Sequence, residues 1–176
     1  MKCKALDRGH RTEIIMSMTI QSSAFSDGQS IPRRHTGEGR DVSPALNWDG
    51  VPQIAKELVL ICDDPDAPTA EPWVHWLIYN LPADSRSLPE HIPREDQVTD
   101  PILATQGCNS WPPGENLGYL GPMPPKGHGV HHYHFKLYAL DACLNLLPGI
   151  TKASLLKAMD GHILDKASLV GTYERK

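Results

Sequence analysis

The sequence predicts a mainly β protein, a two-sheet antiparallel β-sandwich with one or two peripheral α-helices near the C-terminus. Strand-like runs of apolar or alternating residues occupy 56–64, 73–81 and 131–141, whereas helical periodicity occurs once, at 151–167. The predicted strands do not alternate with helices, so a parallel sheet is not expected. The 16 prolines and 14 glycines among 176 residues are typical of a protein rich in turns.

The first two runs predict central strands. KELVLICDD (56–64) contains five consecutive apolar residues, which fits a strand buried on both faces. WVHWLIYNL (73–81) is mainly apolar on both faces as well. Strict alternation places His75, Leu77, Tyr79 and Leu81 on one face, and Val74, Trp76 and Ile78 on the other. We therefore expect both runs to lie in the interior of a sheet.

The third run, HHYHFKLYALD (131–141), alternates clearly and predicts a strand with one core face. The core face contains His131, Tyr133, Phe135, Leu137 and Ala139, and the other face contains His132, His134, Lys136 and Tyr138. Two histidines at i and i+2 on one strand face are a workable pair of zinc ligands. A solvated strand face is the better interpretation of His132 and His134, because further ligands should lie on the opposite side.

Weaker patterns complete the expected order of elements. MTIQSSAF (18–25) and ASLVGTYER (167–175) are predicted strands, and 82–130 is a long irregular stretch of the kind that often contains functional residues. TKASLLKAMDGHILDKA (151–167) is the helix candidate, with Gly161 as its weak point. The apolar stripe of this helix is predicted to be Ala153, Leu156, Met159 and Ile163.

The length favours one domain, which we expect to span 18–176. Residues 1–17 contain charges but no apolar signal-peptide core, and they predict a disordered tail or a misassigned start. No apolar run approaches the roughly 20 residues of a membrane-spanning helix. Four scattered cysteines without an export signal favour free thiols in the cytoplasm. A net charge of −4 without a basic stripe argues against nucleic acid as a partner.

Three aspartates, Asp63, Asp64 and Asp66, lie where the first central strand ends, in the sequence DDPDAP. Its two prolines stiffen the backbone, so this turn can hold a carboxylate in one place. A metal site, an acid/base pair and the wall of a binding pocket all remain open, beside the plain interpretation that Asp-Pro sequences begin turns. We expect Cys62 in the core, Asp63 in solvent and Asp64 in a pocket.

Two histidines, His75 and His131, occupy inward positions near strand ends. A buried histidine needs a hydrogen-bonding partner, and a carboxylate is its natural one. If these strand ends meet the Asp64 turn, they form a small pocket with donor groups on its walls and a carboxylate that orients them. Such a pocket suits a small anion, such as phosphate, a carboxylate or a phospholipid headgroup.

Several motifs together resemble the phosphatidylethanolamine-binding protein family, in its prokaryotic Raf-kinase-inhibitor-like branch. In the order that the family uses, they are SPALNW (43–48), DPDAP (64–68), WVHW (73–76), QGCN (106–109), GYLGPMPPKG (118–127), HHYHF (131–135) and the GH…LVGTYER ending (161–175). The resemblance implies a two-sheet antiparallel β fold with an anion pocket, no cofactor and no metal. Carried over by position, the ligand-binding residues are Asp64, Asp66, His75, Pro125, His131 and Tyr133.

The resemblance also implies the kinds of partner. Members bind phosphate, acetate or phospholipid headgroups, some modulate kinases or proteases, and the branch resembles homodimers. The sequence departs from the family at His132, where arginine is usual. Alternation turns this position away from the pocket, so ligand binding should survive while a surface contact of that arginine is lost.

We therefore expect a non-enzymatic, cytoplasmic binding protein. His75 and His131 should donate hydrogen bonds to the anion, Asp64 should orient both rings, Asp66 should brace the turn, and Tyr133 should shape the wall. Since an unperturbed histidine titrates near about 6.5, phosphate should bind more weakly as the pH rises through neutrality. The alternative is a metal-dependent or acid/base hydrolase that uses Asp64, His75 and His131.

Overall fold

The computed structural model describes residues 17–176, which form two antiparallel sheets and one α-helix. The tail or misassigned start expected at 1–17 lies outside the described residues, apart from Ser17. Within 17–176, no helix has the length and apolar character that a membrane crossing requires. The predicted fold class, a mainly β protein with two antiparallel sheets, is confirmed.

The strands fall into a small and a large sheet. In chain order they are β1 (Thr19–Ser22), β2 (Leu46–Asp49), β3 (Glu57–Asp64), β4 (Trp73–Pro82), β5 (Ser87–Leu88), β6 (Gln97–Val98), β7 (Ala104–Gln106), β8 (Val130–Leu140) and β9 (Ile163–Glu174). The α-helix, α1 (Lys152–Met159), lies between β8 and β9. The small sheet has the order β1-β2-β5, and the large sheet has the order β6-β7-β4-β3-β8-β9.

The large sheet is covered on both faces, which explains why its central strands have apolar residues on both faces. On one face, Leu60 and Phe135 pack in a common core with Trp48 of the small sheet. On the other face, Ile61 packs in a second core with Leu155 of α1. All eight residues of β3 are buried, as its apolar run predicted. Burial of each such large apolar side chain stabilises the fold by about 1.5–3 kcal/mol.

Helix α1 is shorter than predicted, because it ends at Met159 rather than at residue 167. Gly161 has a φ of +78°, a left-handed conformation that redirects the chain just after the helix. From Ile163 the chain pairs with β8 instead, so hydrogen bonds within the sheet replace the expected second half of the helix. Most of the predicted stripe is wrong: Ala153, Leu156 and Ile163 are exposed, and the buried residues of the helix are Leu155 and Met159.

An irregularity in β4 turns His75 to the face opposite the predicted one. Two consecutive residues of β3 pair with Trp76 and then with Val74, which leaves His75 as the extra residue of a β-bulge. Leu77, predicted on the same face as His75, packs on the α1 side of the sheet. The ring of His75 instead lies 5.0 Å from that of Tyr133, on the side of the small sheet.

The irregular stretch 82–130 contains β5, β6 and β7, and two of its loops bond to the beginning of β4. The amide of Ser110 donates to the carbonyl of Val74 at 2.9 Å, and the amide of Leu120 donates to that of His75 at 3.0 Å. These bonds bring the loops of this stretch to the beginning of β4, next to the bulge.

Candidate ligand-binding pocket

A cavity of about 290 Å³ lies where β3 ends and where β4 and β8 begin. Its polar lining consists of Asp64, Thr69, His75, His131 and Tyr133. Its apolar lining consists of Ala67, Pro68, Trp73, Trp111, Met123, Pro124 and Pro125. Five of the six predicted ligand-binding residues therefore line one cavity, and the sixth, Asp66, does not.

Asp64 and His131 form a buried, hydrogen-bonded pair in this lining. Nδ1 of His131 donates to Oδ2 of Asp64 at 2.7 Å, and the two side chains are only 1% and 4% exposed. The other carboxylate oxygen accepts from the amide of Asp66 at 2.8 Å, so the turn holds Asp64 in place. Because Nδ1 holds the proton, Nε2 of a neutral His131 is an acceptor, and it becomes a donor when the ring is protonated.

His128, which no sequence pattern selects, extends this pair. Its Nδ1 lies 2.7 Å from Nε2 of His131, and the two ring centroids are 5.0 Å apart. Both nitrogens of His131 therefore have partners. The GHGVHHYHF sequence shows a cluster of histidines, but His128 precedes the strand, and alternation assigns no face to a loop residue.

His75 is oriented by the backbone rather than by Asp64. Its Nδ1 donates to the carbonyl of Leu120 at 2.6 Å. Burial lowers the pKa of His75 to about 4, and this hydrogen bond offsets the effect only in part. At neutral pH the ring is uncharged and its Nε2 is an acceptor. The expectation that Asp64 orients His75 is therefore wrong, and a neutral ring held in this way has an acceptor, not a donor, at Nε2.

Tyr133 lies between the two histidines. Its ring is stacked with that of His131 at 6.5 Å and meets that of His75 edge-on at 5.0 Å. Burial, together with the charge of Asp64, raises the pKa of Tyr133, so the hydroxyl stays protonated and remains a donor. That hydroxyl is buried and has no hydrogen-bond partner among the described residues, a state that costs about 1–3 kcal/mol.

The apolar wall contains two tryptophans. The rings of Trp73 and Trp111 meet edge-on at 5.4 Å, and Trp111 also lies 5.1 Å from His75. Met123, which is 40% exposed, lies on the same wall. Sequence reasoning missed Trp111 because it belongs to the irregular stretch, where no periodicity assigns a direction to a side chain.

Asp66 points away from the cavity and ties the turn to β8. Its Oδ2 accepts hydrogen bonds from the amide and the Nδ1 of His132 at 2.8 Å and 2.7 Å. Desolvation opposes ionisation, but these bonds outweigh it, so the pKa of Asp66 is lowered overall. His132 thus faces away from the pocket, as predicted, and Asp66 braces the turn without lining the pocket.

Asp63 was expected in solvent, and this expectation is wrong. Its carboxylate is fully buried and forms ion pairs with Lys136 at 2.7 Å and with Lys152 of α1 at 2.5 Å. The cause is the alternation of β3, which turns Asp63 towards the helix side of the sheet when Asp64 turns towards the pocket. Cys62 is buried in the core, as predicted.

The metal-dependent form of the hydrolase alternative requires a cluster of ligating side chains. Among residues 17–176, no three His, Cys, Asp or Glu side chains are placed to hold one metal ion. His132, considered as a zinc ligand from the sequence, is paired with Asp66 instead. The described residues therefore give no support to a metal-dependent hydrolase.

The fold and the site together define a two-sheet β protein with a pocket between strand ends, lined by an aspartate, two histidines and a tyrosine. The model of the phosphatidylethanolamine-binding protein family matches residues 21–174. The chain belongs to this family, whose description indicates a binding protein.

Relatives of this chain occur in archaea. It is 49% identical over 158 residues to a UPF0098 protein of Methanothermobacter thermautotrophicus, which covers 90% of this chain and 99% of the relative. A UPF0098 protein of Pyrococcus abyssi is 50% identical over 159 residues, covering 90% of this chain and 86% of the relative.

Solved structures share the fold. A phosphatidylethanolamine-binding protein homologue from Chlamydia trachomatis has a TM-score of 0.78 and 41% identity, and the match covers 91% of this chain and 99% of that one. E. coli YbcL, described as a member of the mammalian family, has a TM-score of 0.82 and 32% identity, with coverages of 92% and 100%.

Proposed function

We propose that the protein is a non-enzymatic binding protein whose pocket receives a small oxyanion, such as phosphate or the phosphoryl headgroup of a larger molecule. The main support is the buried pair of Asp64 and His131 in the cavity lining. When His131 is protonated, its charge balances that of Asp64 and its Nε2 proton points to a site other than the carboxylate. A fixed imidazolium of this kind forms strong, charge-assisted hydrogen bonds with anions.

The second histidine narrows the class of ligand. Because Nδ1 of His75 donates to the carbonyl of Leu120 and the ring is neutral above about pH 4, its Nε2 offers a lone pair to the ligand. The Tyr133 hydroxyl is a donor that has no partner among the described residues. The matching ligand therefore combines an anionic oxygen with an O–H or N–H group of its own. The monoanion of phosphate has both, whereas sulfate has no donor.

The size and the apolar lining fit a headgroup. A volume of about 290 Å³ lies at the small end of ligand pockets, which commonly span about 300–1,000 Å³. The rings of Trp73 and Trp111 provide an apolar surface for carbon atoms attached to the phosphoryl group. We therefore include phosphomonoesters and phosphoryl headgroups among the proposed ligands.

Calorimetric titration tests this proposal with two anions of equal shape. Protein purified without phosphate, sulfate or acetate is titrated at pH 6 with inorganic phosphate and then with sulfate. We expect phosphate to bind at least about fivefold more tightly, since an unpaired buried acceptor costs about 1–3 kcal/mol. His131→Ala should abolish phosphate binding, and His162→Ala, which removes a half-exposed histidine paired with Asp141, should not.

Two results would contradict the proposal: equal affinity for phosphate and sulfate, or phosphate binding that survives in His131→Ala. A phosphomonoester should bind more weakly at pH 8 than at pH 6, because its phosphoryl group loses its last proton near about pH 6 and then has no O–H to donate to Nε2 of His75. A hydrolase would release phosphate from a phosphomonoester under the same conditions, whereas a binding protein leaves the ester intact.

Three further proposals follow from the resemblance rather than from the pocket. They are regulation of a kinase or protease, a homodimer and a cytoplasmic location. The homodimer is the most direct to check, by sedimentation of the full chain at several concentrations, where a monomer throughout would contradict it.

A further inference from the structure

The hydrogen bond between His128 and His131 occupies the position that the proposed ligand needs. Nδ1 of His131 is bound to Asp64, and its Nε2 lies 2.7 Å from Nδ1 of His128. Each ring nitrogen of a histidine has either one proton or one lone pair, and so makes one strong hydrogen bond. An oxyanion that bonds to Nε2 of His131 must therefore displace His128.

The segment around His128 is exposed and loosely held, so the ring can be displaced. His128 is exposed, whereas His131 is buried. Gly127 and Gly129 flank it with φ values of +72° and +92°, and a Cβ at either glycine would have no atom within 4 Å. The backbone bonds of this segment, from His128 to Pro125 and from Gly127 to Arg175, are both 3.2 Å, longer than the usual 2.9–3.0 Å or so. Few contacts therefore oppose rotation of the ring out of its place.

We propose that His128 is the gate of the pocket: its imidazole holds Nε2 of His131 in the unliganded protein, and an oxyanion binds by replacing it. This proposal rests on the proposed function, because it assumes that the oxyanion binds at His131. In the exchange, protonated His131 keeps both of its protons and redirects the Nε2 proton from a neutral imidazole to an anionic oxygen. A hydrogen bond with two charged partners is stronger than one with a neutral acceptor, which favours the exchange.

The direct test is the affinity of the full chain for inorganic phosphate at one fixed pH, before and after removal of the gate. We expect His128→Ala to bind phosphate about 2- to 10-fold more tightly than the wild type, since the ligand no longer replaces an existing hydrogen bond. His162→Ala, the matched loss of another exposed histidine, should bind as the wild type does. A parallel titration with phosphatidylethanolamine vesicles shows whether the gain applies to a lipid headgroup or to free phosphate.

A spectroscopic readout follows the gate itself. The ¹⁵N resonances of the histidine rings distinguish a nitrogen engaged in a hydrogen bond from one in water. In His131→Ala, His128 has lost its partner, and its signals define the released ring. Addition of phosphate to the wild type should move the signals of His128 to these values.

The outcomes separate the gate from the proposed function. If the wild type binds phosphate and His131→Ala does not, but His128→Ala binds with unchanged affinity, the gate is wrong and the anion pocket stands. Weaker binding by His128→Ala also overturns the gate and makes His128 a ligand contact. If neither the wild type nor His128→Ala binds phosphate or the vesicles, both proposals fail. If His128→Ala binds phosphate and the wild type does not, the result supports a gate that is closed in the wild type.

Discussion

Asp63 and Asp64 are consecutive residues of one strand, and they lie in opposite environments. Both are buried, with 0% and 3% exposure. Asp63 faces the helix side of the large sheet and contacts the ammonium groups of Lys136 and Lys152. Asp64 faces the side of the small sheet, where its partner is His131 and the neighbouring space is a cavity.

This difference shows that the partner and the covering layer, not the residue type, decide what a buried aspartate does. The ammonium partners of Asp63 come from β8 and from α1, so this carboxylate stabilises the packing of the helix on the sheet. The partner of Asp64 is an imidazole, whose second ring nitrogen can serve a further hydrogen bond. A carboxylate that orients such a group beside a cavity is suited to ligand binding.

The largest expected effect is the loss of stability in Asp63→Asn. Removing one partner of a buried ion pair costs about 3–5 kcal/mol of stability. We expect a loss of about 3–4 kcal/mol in the free energy of unfolding, because Lys136 and Lys152 are 33% and 21% exposed and can partly turn to water. Urea unfolding at pH 7 measures this loss, and phosphate affinity should stay unchanged. A larger loss of stability in Asp64→Asn than in Asp63→Asn would contradict the contrast between the two aspartates.

The next effect is the pH dependence of stability that comes from His75, on the pocket side of the sheet. The pKa of His75 is about 4 in the folded protein, below its ordinary 6.5, so the unfolded chain takes up a proton first as the pH falls. The neutral buried ring therefore favours folding above pH 6.5, and this contribution is lost towards pH 4. The loss amounts to about 3 kcal/mol between pH 7 and pH 4.

Unfolding of His75→Asn across this range provides the measurement. Asparagine does not titrate, so the part of the slope that comes from His75 should disappear, while Asp63→Asn should keep it. An unchanged slope in His75→Asn would show that the ring is not buried in its neutral form, and the acceptor role proposed for Nε2 would fail with it.

A third effect compares the two aspartates through the ligand. Asp64→Asn keeps an oxygen that accepts from His131 but removes the negative charge that favours the imidazolium. We expect about tenfold weaker phosphate binding at pH 6, since a hydrogen bond to a charged group contributes about 1.5–3 kcal/mol. Calorimetry on the two neighbouring Asn variants gives the contrast directly. Equal losses in both would mean that the effect comes from the stability of β3 rather than from the pocket.

How far the sequence predicts this site depends on how regular each strand is. β8 is an uninterrupted strand of 11 residues, so alternation placed His131 and Tyr133 on the core face. In β4 the same rule selected His75 as an inward residue but put it on the wrong face, because a β-bulge inserts one residue opposite β3. Nothing in a single sequence locates such a bulge.

Other features depend on contacts between segments that are far apart in the chain. Asp63 was placed in solvent because its partner Lys152 lies 89 positions away on a helix whose docking the sequence does not show. Trp111 and His128 belong to loops, where no period assigns a direction. The pattern of the sheets and the residues of β8 were predictable, whereas the layer that covers each face was not.

The smallest expected effect tests why Lys152 lies at the first position of α1. A cation there opposes the helix dipole, so its ion pair with Asp63 must compensate. We expect Lys152→Met to cost about 1 kcal/mol, because Asp63 keeps Lys136, and the exposed Lys157→Met on the same helix to cost less. In the Asp63→Asn background, Lys152→Met should instead be neutral or stabilising, since both the attraction and the unfavourable charge are then removed. Additive losses in the double variant would show that the aspartate does not hold the helix through this lysine.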